Sequence, residues 1–150
     1  MDYINGKIYV IRNHINDLVY VGSTTQSLSK RFSWHKSNRN CKKNKKYIIY
    51  QSFDELGIEN FYIEIVELYP CSCKEELCKR EGQYIRKFDS YKNGYNMRIA
   101  GRTQKEYNQE NQEKIKEQKK IYREANKEYF INYHKKYIDE QQKLLYIVNI

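Results

Sequence analysis

The chain has 150 residues, 39% of them hydrophobic, which suffices for one domain, or one domain with an extension, but not for two full-sized ones. No apolar run approaches the roughly 18 residues that cross a bilayer, and the first residues lack a signal peptide's basic and apolar regions, so a soluble intracellular protein is expected. The formal net charge of +9 points to a polyanionic partner.

Residues 7–12 and 18–22 alternate and are rich in Ile, Val and Tyr, and residues 13–17 between them supply turn chemistry, which predicts a β-hairpin. A ladder regular about that turn sets Ile8 and Val10 opposite Val21 and Val19 on one face, and Tyr9 beside Tyr20 on the other. The polar run 23–27 offers a helix N-cap, and Leu28, Phe32, Trp34 and His35 give a short amphipathic helix on which Arg31 and His35, four apart, share a face. Residues 47–56 predict a second helix stopped by Gly57, and residues 61–69 a strand ended by Pro70.

Charge is unevenly placed along this stretch. From residue 18 to 53 there is no acid, whereas Lys30, Arg31, Lys36, Arg39, Lys42, Lys43, Lys45 and Lys46 supply eight positive charges. Phosphate binding accounts for the missing acids better than a solubilising loop, in which acids usually interleave with lysines.

Residues 74–88 predict a helix whose apolar stripe collects Leu77, Cys78, Tyr84, Ile85 and Phe88 within a sector of about 120°, with Glu81 near its middle. A carboxylate there is costly unless it pairs with a cation or binds a metal, and both readings stand. Gly94-Tyr95-Asn96 and Gly101 mark a turn-rich closing segment. Cys41, Cys71, Cys73 and Cys78 lack the CxxC spacing of a zinc site, and reduced thiols are expected.

From Thr103 the chain turns to Lys, Glu, Gln, Asn and Tyr in an imperfect 15-residue repeat: Tyr107, Tyr122 and Tyr137; Asn111, Asn126 and Gln141; Ile115, Phe130 and Leu145. Fifteen residues make about four turns with a drift of roughly 60°, which predicts a long exposed helix without a heptad seam, leaving oligomerisation through it open. Residues 103–150 hold ten Lys or Arg against eight Asp or Glu, a net of +2, which leaves +7 for residues 1–102.

Lys7-Ile8-Tyr9, Val19-Tyr20-Val21-Gly22, Arg31, His35, Glu81 and Gly94-Tyr95-Asn96, in this order across residues 6–101, resemble the GIY-YIG nuclease family. The resemblance is to the catalytic domain of phage-type homing endonucleases and their viral relatives. It implies an α+β fold, a small three-stranded antiparallel sheet flanked by helices, in residues 1–102, with residues 103–150 a helical tail. It further implies a divalent-metal-dependent endonuclease acting on DNA, with no small-molecule cofactor and no membrane partner. Tyr9 would be the general base or water-orienting phenol, Tyr20 its partner, and Arg31 the countercharge for the phosphate. Glu81 would hold one Mg2+ or Mn2+ ion, His35 would support the site and Asn96 would brace it. Lys7, standing where the family has glycine, is a long cation beside the site. As base, Tyr9 would need its pKa lowered by metal-bound water or by a cation such as Lys7 or Arg31. The rival reading is a non-catalytic nucleic-acid-binding protein with the same basic surface.

Overall fold

The computed structural model describes residues 2–148, with side chains through Lys143. The chain divides into two compact units, Met1–Arg102 and Thr103–Ile150.

The first unit is built on a three-stranded antiparallel sheet of β1 (Lys7–Asn13), β2 (Tyr20–Thr24) and β3 (Phe61–Leu68), in the order β2-β1-β3. Its centre is β1, whose unbroken run Ile8-Tyr9-Val10-Ile11 is buried on both faces. Such a run can only be satisfied by cover on each side, and each of these side chains contributes about 1.5–3 kcal/mol when buried. On one face Tyr9 and Ile11 pack with Ile49, Tyr50 and Phe53 of α2 (Ile48–Glu55), with Phe61 and Tyr95, and with Leu28 and Phe32 of α1 (Leu28–Asn38). On the other, Ile8, Val10 and Val21 pack with Leu77 and Ile85 of α3 (Lys74–Lys87).

The ends of these elements follow their chemistry. The Ser27 side chain caps α1 by accepting from the Lys30 amide, and Gly57 leaves α2 at a φ of 80°, open to glycine without strain. An arginine fork fixes α3 to β3: Arg80 Nε and Nη2 donate to the two Glu67 oxygens at 2.6 and 2.8 Å.

The hairpin differs from the expected ladder by two residues. Val10 faces Val21, Ile8 faces Ser23 and Tyr9 faces Gly22, so Tyr9 and Tyr20 are diagonal neighbours with ring centroids 6.4 Å apart. The cause lies in the turn. Asn13 Oδ1 accepts from the Ile15 and Asn16 amides, and Asn16 Oδ1 from that of Leu18, which carries the loop on to Val19. A shift of two preserves every face, because side chains alternate with period two.

The second unit contains α4 (Gln104–Glu110), α5 (Gln112–Ala125) and α6 (Lys127–Val148), opened by a capping box between Thr103 and Glu106. The repeat therefore does not form one continuous helix. Asn111 and Asn126, at φ of −116° and −115°, turn their side-chain amides back onto the Tyr107 and Tyr122 carbonyls at 2.9 and 2.8 Å and interrupt the helix. Gln141, at the third such position, sits within unbroken α6, while the Leu145 side chain lies outside the described residues. Among the described residues no helix is long and apolar enough to cross a membrane, and Cys41, Cys71, Cys73 and Cys78 are free thiols.

Candidate active site

A cleft of about 390 Å³ opens where β2, the sheet's edge strand, passes between α1 and α3. Its wall carries Tyr20, Arg31, His35, Glu81 and Asn96, five of the six residues singled out in the sequence as catalytic. Glu81 lines it although α3 covers the face opposite α1, and its carboxylate accepts from Ser23 Oγ of the edge strand β2 at 2.5 Å.

Tyr9, the sixth, does not line the cleft but is buried behind it. Its hydroxyl oxygen accepts from Arg31 Nε at 2.8 Å, and its own hydrogen is therefore left to His35 Nε2, also at 2.8 Å. That fixes the hydrogen of the neutral imidazole on Nδ1, which faces the Tyr50 hydroxyl at 3.3 Å. The spacing of Arg31 and His35 by one helical turn lets both grip the same oxygen. The Arg31 guanidinium also lies against Trp34, 4.5 Å from the ring centroid. Tyr20, in contrast, packs edge-on to His35 and has no protein partner for its hydroxyl among the described residues.

Asn96 braces the strand. Its side chain accepts from the Val21 amide and donates to the Val21 carbonyl, both at 2.8 Å, while the Tyr95 amide donates to the Val19 carbonyl at 3.0 Å. The outer edge of β2 is thus paired without a fourth strand.

Burial governs the electrostatics. It pushes the phenols of Tyr9 and Tyr20 above the usual tyrosine range, with Arg31 pulling both back. Burial and then Arg31 hold His35 down at about 3, so it is neutral at physiological pH. The Glu81 carboxyl is raised by burial, against the Ser23 hydrogen bond and the charges of Arg31 and Arg98. Arg31 does not bring the Tyr9 phenol below its ordinary pKa, because burial outweighs the guanidinium, and Lys7 is engaged elsewhere, with its Nζ on the Asn5 carbonyl at 2.8 Å.

The other predicted basic residues fall into two sets. Arg39 and Lys45 share Asp54, the first acid after the acid-free stretch, and Lys36 and Lys46 lie over the rings of Phe32 and Tyr47. Lys30, Lys42 and Lys43 are exposed. Among the described residues no three of His, Cys, Asp and Glu cluster as metal ligands, and Glu81 is the one carboxylate among the described residues that line the cleft. A single carboxylate in an open cleft fits a divalent cation that keeps most of its waters. Sequence reasoning missed Ser23, Trp34 and Tyr50. For Ser23 and Trp34 the only signal was adjacency to Gly22 and His35.

Residues 5–96 match the GIY-YIG catalytic domain. The chain belongs to the GIY-YIG family. It is similar to a solved mutant of the catalytic domain of intron endonuclease I-TevI, with TM-score 0.54 and 31% identity over 63% of this chain and 95% of that one. A second structure, of the catalytic domain of homing endonuclease I-TevI, gives TM-score 0.53 and 30% identity over 62% and 98%. Two proteins of Invertebrate iridescent virus 6 are also similar: uncharacterized protein 019R, 35% identical over 85 residues, and putative MSV199 domain-containing protein 146R, 36% identical over 62. The matched segments are 57% and 41% of this chain but only 30% and 24% of those proteins.

The geometry gives the GIY-YIG signature a physical reason. Tyr9 of the first tripeptide faces Gly22 of the second, and a Cβ on Gly22 would stand 2.4 Å from the Tyr9 hydroxyl oxygen. Only glycine lets the buried phenol pass under the strand to reach Arg31 and His35. Lys7 is compatible with the GIY-YIG fold because the close approach falls at Gly6, whose added Cβ would meet the Tyr69 carbonyl at 2.3 Å.

Proposed function

We propose that the chain is an endonuclease that hydrolyses DNA phosphodiester bonds with one divalent cation, Mg2+ or Mn2+, held at Glu81. The observation that carries this reading is the convergence of Arg31, Tyr20, His35 and Glu81 on one cleft of a GIY-YIG catalytic domain. The endonuclease relatives of known structure support the substrate class.

Phosphodiester hydrolysis needs an oriented water and a countercharge for the phosphorane-like transition state. Arg31 would supply the countercharge, and its direction is fixed by Tyr9 on one side and Trp34 on the other. Tyr20 is the phenol that would reach the attacking water or a phosphate oxygen, since its hydroxyl is uncommitted. Tyr9 would act through Arg31 and His35 as a positioning residue. Neither phenol ionises near neutral pH, so both would work as hydrogen-bonding groups. A divalent cation at Glu81 would supply an acidified water and further countercharge. The basic residues of 30–46 would hold flanking phosphates.

The test is incubation of the purified chain with plasmid DNA, with magnesium or with a chelator, beside Glu81→Ala. Nicking or linearisation is expected only for the wild type with magnesium. Binding without cleavage under every condition would favour the non-catalytic DNA-binding reading.

A further inference from the structure

The cleft is larger than a phosphate requires. At about 390 Å³ it falls in the range of roughly 300–1,000 Å³ that whole small molecules occupy. Its wall also carries Asn38, Asn44 and Tyr47, which have no part in the hydrolysis described above, and Trp34, whose part there is confined to bracing Arg31. Trp34 is 49% exposed although Arg31 covers part of its ring, and Tyr47 is 40% exposed. The two amides are locked together, Asn44 Nδ2 donating to the Asn38 carbonyl and to Asn38 Oδ1 at 3.1 Å. This leaves Asn38 Nδ2 as a donor and Asn44 Oδ1 as an acceptor, with no protein partner among the described residues. Open aromatic surface beside a fixed donor and acceptor is the chemistry that receives a nucleobase: π-faces to stack on and hydrogen-bonding groups for the base edge.

Resting on the nuclease reading, we propose that Trp34, Tyr47, Asn38 and Asn44 form a nucleobase subsite beside Arg31 that takes one unpaired base next to the scissile phosphate. The preferred substrate is then DNA with an unstacked nucleotide at the cut, such as a single strand, bulge or junction. A base inside an intact duplex has both faces covered by its neighbours and cannot lie on the indole.

Trp34 is the only tryptophan of the chain, so its emission reports this subsite alone. The full-length Glu81→Ala protein, with wild type in chelator as a second preparation, is titrated at fixed salt with three probes. These are a short oligothymidylate, an abasic backbone of equal length and charge, and a fully paired duplex. Oligothymidylate is expected to quench Trp34 and to bind roughly tenfold or more tighter than the abasic strand, in line with stacking on one aromatic side chain. Neither the abasic strand nor the duplex is expected to quench. Equal binding of both single strands without quenching, quenching by the duplex as strong as by oligothymidylate, or no binding at all would overturn the subsite and leave Trp34 as a brace for Arg31. Cleavage by the wild type with magnesium, scored on plasmid and on a bulged or branched duplex, separates the two proposals. Cutting without quenching removes the subsite and keeps the nuclease, and quenching without cutting does the reverse.

Discussion

Tyr9 and Tyr20 are adjacent phenols in one family signature, yet their surroundings divide their work. Tyr9 is sealed under Gly22 with both hydrogen-bonding directions used, and Tyr20 presents a free hydroxyl to the cleft. The same burial sets a pH dependence through His35. Its folded pKa of about 3 lies below the ordinary value near 6.5, so the unfolded chain takes up the proton first as pH falls. The stability that goes with neutral His35 is whole above about pH 6.5 and is lost progressively towards pH 3. Glu81, whose pKa is raised, works in the opposite sense, gaining stability as pH falls through its folded value. Denaturant titrations at pH 6.5 and pH 5 are expected to show a loss of at most about 2 kcal/mol from His35, absent in His35→Gln. A wild-type loss matched by His35→Gln would place the titrating group elsewhere.

At the scale of elements, β2 owes its place to Asn96 as much as to β1. Asn96→Ala would strip the Val21 amide and carbonyl of their partners in a buried setting, at a cost of about 1–3 kcal/mol. A fall in the denaturant midpoint with an unchanged slope checks this, and an unchanged midpoint contradicts it. Helices and strands of the first unit were legible in the sequence because their periodicities are strong: Ile48–Glu55, Phe61–Leu68 and Lys74–Lys87 lie within a residue or two of the expected bounds. Glu81 was legible for the same reason, as an acid on an apolar stripe. The hairpin register was not, since it is set by side-chain bonds of Asn13 and Asn16 that leave no period behind. Nor were Tyr50 and Ser23 readable as site residues, because their partners lie 15 and 58 positions away. In the tail, the repeat predicts a continuous helix where Asn111 and Asn126 break it, a local competition that periodicity does not register.

For the molecule as a whole, the positive charge and the cleft lie in the same unit. Residues 1–102 carry +7 of the net +9, and Arg31 stands on α1, within the acid-free stretch. On the proposed function, that charge would attract a polyanion to the unit that holds the cleft. The hydroxyl of Tyr20 offers the cleanest probe, because removing it breaks no bond within the protein. The deciding measurement is the single-turnover cleavage rate of Tyr20→Phe with magnesium, taken beside its melting temperature. A rate lower by about 100-fold at an unchanged melting temperature is expected if the cleft is where the phosphate reacts. Cleavage at the wild-type rate across pH would contradict it.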